Sequence, residues 1–199
     1  MATKISRPRG RPRRFDLDEA VATAQGLFHA KGFDSVSIAD ITAALGINPP
    51  SFYAAFGSKA ALYDLVLKRY NDADAIPLDC LLRSDRPVAE CLAAALEEAA
   101  RFYTANPNTA GCLVVEGTRC TDRDAREGAL AYNRAAEDMI RKYIAQRHPG
   151  QADRLTDFTA TTMFGLSARA RNGHGRDELL ASARIAGSAI ERMLASDGR

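Results

Sequence analysis

Apolar residues recur along this chain at helical spacing nearly from end to end, and no stretch keeps the period of two that marks a half-buried strand. Leu17, Val21, Ala24 and Phe28 stand at i, i+4, i+7 and i+11, with Ala20 and Leu27 beside them. Asp16 and Glu19 open this stripe in the pattern of a capping box, and Lys31-Gly32 closes it with a cation and a glycine. Ser37 with Asp40 opens a shorter helix carrying Ile38, Ile41 and Leu45, which Gly46 ends. Asn48 caps a third helix over 49–56, whose prolines are tolerated in a first turn. Ser58 caps a fourth, with Leu62, Leu65 and Val66 facing inward.

Beyond residue 71 the pattern loosens. Residues 72–86 are mixed, with breaks at Pro77 and Pro87. Helical periodicity returns over 88–104, carried by Leu92, Ala95, Leu96, Ala99 and Phe102, and Asn106-Pro107 ends it. A short apolar piece at 109–119, a long helix over 124–148 and two final helices near 152–171 and 176–195 follow. The expectation is an all-α chain of about nine helices.

Helices 2 and 3 carry more information than their length suggests. Apolar residues at Ile38, Ile41, Leu45, Ile47 and Phe52, with a tight turn at Gly46, let the two cross steeply around one small core. That is the helix-turn-helix arrangement, whose second helix projects into a DNA major groove.

Charge changes the picture next. Net charge is +2, yet residues 1–14 hold Lys4, Arg7, Arg9, Arg11, Arg13 and Arg14 and no acid, leaving the rest of the chain at −4. A basic arm on a mildly acidic body suits a polyanionic partner, and a merely solubilising terminus is the other reading. The arm's Arg9-Gly10-Arg11-Pro12 core resembles the AT-hook pattern that places guanidinium groups in a narrow minor groove. The composition, 46% hydrophobic and 26% charged, is that of a globular protein. No apolar run approaches the ~20 residues of a membrane span, and no apolar segment follows the basic N-terminus as in a secretory signal, so the cytoplasm is expected and no membrane. Cys80, Cys91, Cys112 and Cys120 form no CxxC pair, and His29, His148 and His174 are scattered, so no metal site is expected. No Ser-His-Asp context, Walker loop or HExxH is present, so no catalytic residue and no cofactor are expected.

The stretch GFDSVSIADITAALGINPPSFYAAFGSKAAL (32–62) resembles the DNA-binding domain of the tetracycline-repressor (TetR) family. The landmarks are Gly32-Phe33, Ser37-Ile38 with Ile41, Ala44-Leu45-Gly46-Ile47, then Phe52-Tyr53 with Phe56, and Ser58-Lys59 with Leu62. Asn48-Pro49-Pro50, Ala55 and Gly57 depart from the common pattern and bear on which bases are read. The resemblance implies that Ser37 and Lys59 contact phosphates and that Pro50, Ser51 and Tyr53 face the groove, with Asn48 at the helix entry. Tyr53 could equally be a half-buried packing residue.

GCLVVEG (111–117) and GLSARAR (165–171) resemble a TetR subgroup with a GCL motif. From the resemblance follows a division into a basic arm (1–14), a DNA-binding domain (15–70) and an effector-binding and dimerisation domain (71–199). It implies a homodimer through the last two helices, a near-palindromic double-stranded DNA operator, and a small-molecule effector that releases it. Candidate cavity residues are Phe102, Tyr103, Cys112, Leu113, Glu116, Tyr132, Met139, Phe158 and Met163, any of which could instead be plain core. Glu116 and Arg119 either hold a polar ligand group or pair together. A thiol- or metal-responsive regulator of the same fold, using Cys112 or Cys120, and a nonspecific architectural DNA protein are the alternatives.

Overall fold

The computed structural model describes residues 16–196, and among them the regular structure is helical throughout. Ten α-helical segments follow one another, two of them only four and five residues long, close to the nine expected. None is long and apolar enough to cross a membrane.

The first four are set by local chemistry. In α1 (Leu17–Lys31) the Asp16 carboxylate accepts from the amides of Asp18 and Glu19 at 2.9 and 3.2 Å. Ser37 and Asp40 form a reciprocal capping box at the start of α2 (Ile38–Leu45). Gly46 follows at φ 65°, a left-handed turn that residues with a side chain seldom adopt. Asn48 Oδ1 accepts from the Ser51 amide at 2.9 Å to start α3 (Pro49–Phe56), and Ser58 does the same for Ala61 at the start of α4 (Lys59–Arg69). The helix does not stop at Arg69. It widens into a π turn over Tyr70–Asp74, in the stretch that the sequence left mixed.

The body comprises α5 (Leu78–Leu81), α6 (Val88–Tyr103), α7 (Leu113–Gly117), α8 (Arg123–Ala145), α9 (Ala152–Arg171) and α10 (Arg176–Ser196). α8 begins earlier than its apolar periodicity suggests, because Asp122 is the residue that caps it, accepting from the Ala125 amide at 3.0 Å.

Two hydrophobic clusters hold these elements. One is built on the fully buried α6 face of Leu92, Ala95, Leu96 and Ala99, against α8, α9 and α10. The other joins Phe28, Phe33, Phe52, Leu62 and Tyr63 of the N-terminal helices. Phe28, Phe33 and Tyr63 pack ring against ring at 4.9 to 5.6 Å. This second cluster also takes Leu113, Val114, Cys120, Ala125 and Ala129 from α7, α8 and the turn between them. The N-terminal helices therefore rest directly on the body.

Candidate DNA-binding surface and effector cavity

α3 buries Phe52 and Phe56 and leaves Pro49, Pro50, Ser51, Tyr53, Ala54 and Ala55 exposed. Tyr53 is 52% exposed and meets Phe52 only edge to face at 5.3 Å, which places it on the surface rather than in the core. Asn48 uses its Oδ1 on the cap, so its Nδ2 donors stay uncommitted. No charged side chain occurs on α3.

Two residues implied as phosphate contacts are engaged elsewhere. The Lys59 ammonium donates to the carbonyls of Phe33 and Val36 at 3.0 and 2.9 Å and lies 4.0 Å above the Phe33 ring. Two of its three donors thus clamp the loop between α1 and α2, leaving one for a phosphate. Ser37 gives both its N–H and its O–H to the Asp40 carboxylate, at 2.9 and 2.6 Å, so the capping box has already used its donors. Those bonds hold the Asp40 carboxyl below the usual carboxylate range. Arg9, Arg11 and Arg13 lie outside the described residues. Residues 16–70 hold four bases, Lys31, Lys59, Lys68 and Arg69, against six acids. Lys68 pairs with Asp72, and Arg69 is bonded to Gln25 and Asp74 at 2.8 Å.

A cavity of about 680 Å³ opens in the body between the π turn, the α5 segment, α8 and α9. Of the candidate residues, Tyr103, Cys112, Tyr132, Met139 and Met163 line it. Four other candidates do not. Phe102 packs between the rings of Tyr70 and Tyr103, at 6.4 and 6.2 Å. Leu113, 1% exposed, is core beneath α1 and α4. Phe158 packs against the α6 cluster. Glu116 is paired with Arg119 at 2.7 Å and with Arg171 at 3.5 Å. The sequence reading missed Tyr70, Ile76, Asn133, Glu137 and Phe164 in the lining. On α8 the spacing of Tyr132, Ala136 and Met139 was the signal that could have found that wall.

Cys112 lines the cavity, and the Tyr70 hydroxyl donates to its Sγ at 3.7 Å. Burial pushes this thiol up, and burial together with the nearby Asp34 and Asp122 carboxylates pushes Cys120 up to about 11. Both are protonated thiols at neutral pH, which favours structural over reactive cysteine chemistry. Among the described residues no group of three or more His, Cys, Asp and Glu could hold a metal ion.

The seam between the N-terminal helices and the body is polar and specific. His29, 7% exposed, donates from Nε2 to the Gly111 carbonyl at 3.2 Å, and Arg171 donates to the carbonyls of His29 and Ala110 at 2.9 and 3.1 Å. Thr121 donates twice to Asp34, at 2.9 and 2.8 Å. Burial, reinforced by the Arg171 charge, holds the His29 pKa below its ordinary 6.5 even though the Gly111 bond and Asp74 favour the cation. The unfolded chain therefore takes up a proton near pH 6.5 that the native ring resists, so stability is lost as pH falls below that value. Urea midpoints at pH 7.5 and 5.5 are expected to fall more in the wild type than in His29→Gln, which keeps a donor toward Gly111. Equal pH dependence in the two would refute this assignment.

The outer faces of α9 and α10 are open. α9 shows Thr161 and Gly165, and α10 shows Ala181 and Ile185, the latter 71% exposed.

Comparison with known proteins adds three findings. Residues 20–66 match the family described as bacterial regulatory proteins, tetR family. The chain is 54% identical over 191 residues to the HTH-type transcriptional repressor BdcR of Escherichia coli K12, covering 96% of this chain and 97% of that protein. It is 29% identical to the repressor ComR of the same organism, over 94% of this chain and 92% of ComR. Among solved structures it is similar to a cysteine mutant of the regulator CifR complexed with 26 bp double-strand operator DNA. The TM-score there is 0.81 at 30% identity, over 90% of this chain and 99% of that one.

Proposed function

The chain belongs to the TetR family of bacterial regulatory proteins, and we propose that it is a homodimeric repressor released from its operator by a small effector bound in the body. The observation that carries this is the helix-turn-helix of α2 and α3, with an exposed, uncharged α3 face around Tyr53. BdcR and ComR are repressors by name, and the CifR relative was captured on operator DNA, which supports the same role here.

In this reading residues 1–14 form a basic arm, 15–70 the DNA-binding part and 71–199 the effector and dimer part. Two α3 helices enter successive major grooves roughly 34–36 Å apart on a near-palindromic site. Pro50 and Ala54 offer apolar surface to thymine methyls, and Ser51, Tyr53 and Asn48 offer hydrogen bonds to bases or phosphates. Arg9, Arg11 and Arg13 reach the minor groove and the backbone. The open faces of α9 and α10 pair with those of a second copy. An effector works only through its different affinity for the two arrangements of the dimer. The π turn that walls the cavity continues α4, so cavity and DNA-binding part share one helix.

The test is a nuclease footprint at ~150 mM salt on DNA flanking its gene, followed by selection from random DNA. A protected inverted repeat supports the reading. Uniform, sequence-independent protection favours an architectural protein instead, and no enriched sequence from the selection overturns specific binding. Tyr53→Ala is expected to weaken operator binding by roughly 5- to 30-fold, about 1–2 kcal/mol, within the range of a single base or phosphate contact. Its urea midpoint is expected to stay unchanged because the side chain is half exposed. Undiminished affinity would remove Tyr53 from the interface.

A further inference from the structure

The cavity's walls are chemically one-sided. No Lys, Arg or His lines it, while Asp72, Asp79 and Glu137 do. Asp72 is neutralised by Lys68, but Asp79 and Glu137 have no cationic partner among the described residues. Glu137 is half buried on α8, and Asn133, one turn earlier, donates to its Oε1 at 2.7 Å. That bond orients the carboxylate and leaves Oε2 without a hydrogen bond. A carboxylate on the cavity wall with no counter-charge of its own is open to a cation.

Of the donors an anion would need, those at the Cys112 end are engaged, while the Tyr132 hydroxyl remains. The Tyr70 hydroxyl donates to Cys112 Sγ, and Tyr103 lies beside the same sulfur. The Val114 and Val115 amides, which open α7, also face the Cys112 sulfur. Other parts of the lining are apolar and polarisable: the rings of Tyr70, Tyr103, Tyr132 and Phe164, and the thioethers of Met139 and Met163. Ring faces attract cations, most strongly where water is excluded. A volume of about 680 Å³ is that of a drug-sized ligand site.

We propose that this cavity takes an organic cation with an apolar body, an amine or quaternary ammonium, whose charge is met by Glu137 and whose body lies among the tyrosine and methionine side chains. The inference rests on the effector-cavity reading above and adds the ligand's chemical class. Neither an anionic nor a phosphorylated effector suits these walls.

Calorimetric titration of the full-length, DNA-free protein tests it with three probes of similar size: benzyltrimethylammonium, neopentylbenzene and phenylmethanesulfonate. The cation is expected to bind at least 10-fold more tightly than the neutral probe, and the sulfonate not at all. Glu137→Gln is expected to remove most of that preference while leaving the neutral probe's affinity in place, and Asp79→Asn to remove less. A sulfonate that binds as well as the cation, a cation that does not bind, or a preference unchanged in both variants overturns the proposal. The wild-type series stands even if a variant fails to fold. A protein that protects its operator but prefers the anion keeps the function and loses this inference. One that binds the cation but protects no DNA does the reverse.

Discussion

Removal of residues 1–14 is expected to weaken operator binding by roughly 100-fold or more at ~0.15 M salt, and to lower the slope of log affinity against log salt by up to about 5 per arm. The reason is the poverty of positive charge elsewhere. The arm carries six cations and no acid, whereas residues 16–70 carry more acids than bases. Of those bases, Lys59 is turned onto two backbone carbonyls, and Lys68 and Arg69 are paired with Asp72 and Asp74. Lys31 alone of the four has no such partner among the described residues. α3 itself has no charge with which to hold a phosphate. Counterion release, the main sequence-independent source of affinity, therefore falls to the arm. Binding isotherms at several salt concentrations for the intact chain, the truncation and an Arg9, Arg11, Arg13→Gln triple variant read this directly. The triple variant is expected to lose about half the slope change of the truncation. An unaltered slope in the truncation would sink the arm's role, and would require phosphate contacts on the body that the charge distribution does not offer.

The second large effect is on stability. Gly111→Ala is expected to destabilise the fold by about 2–4 kcal/mol. Gly111 has φ 82°, where a side chain adds roughly 1–2 kcal/mol of backbone strain. A Cβ there would also stand 2.8 Å from Arg171 Cγ and 3.0 Å from both the Ser167 carbonyl and its hydroxyl. The arginine can swing away, but only by releasing the carbonyls of His29 and Ala110 and the Glu116 carboxylate. The Ser167 backbone, inside α9, cannot, so overpacking adds to strain. The same substitution disturbs the Cys112 amide, which donates to Ser167 Oγ at 2.9 Å, and with it the wall of the cavity. Urea unfolding measures the loss, and a change under 0.5 kcal/mol would show that the 110–112 segment adapts more freely than its contacts suggest.

These contacts also mark where sequence reading stopped. The starts of α1, α2, α3 and α4 were legible because a cap is a bond between residues two or three apart, at Asp16, Ser37 with Asp40, Asn48 and Ser58. The side of α3 that is buried was legible from Phe52 and Phe56. Periodicity tells that a residue faces inward but not which of two cores it joins. Hence Leu113 and Tyr103 looked alike in sequence, yet one packs beneath α1 and α4 while the other lines the cavity. The Lys59 clamp spans 23 and 26 residues and the His29–Gly111 bond 82, separations that carry no local signal. The 71–80 wall was illegible because its side chains meet α8 and α9 only after the chain has folded back on itself.

The π turn after Arg69 has a further meaning when the chain is considered as a mechanical part. A π turn packs one surplus residue into an otherwise α-helical rod, and its backbone bonds skip five residues instead of four. The rod from Lys59 to Asp74 thus contains built-in slack at the end that touches the cavity. Taking up that slack would turn each residue past the fault by about 100° and shift it by about 1.5 Å along the axis. Tyr70, wedged between His29 and Phe102 with its hydroxyl on Cys112, sits at the fault. In the proposed function, where an effector fills this cavity, the fault is where a small displacement would become a quantised step in the helix leading to the DNA-binding part.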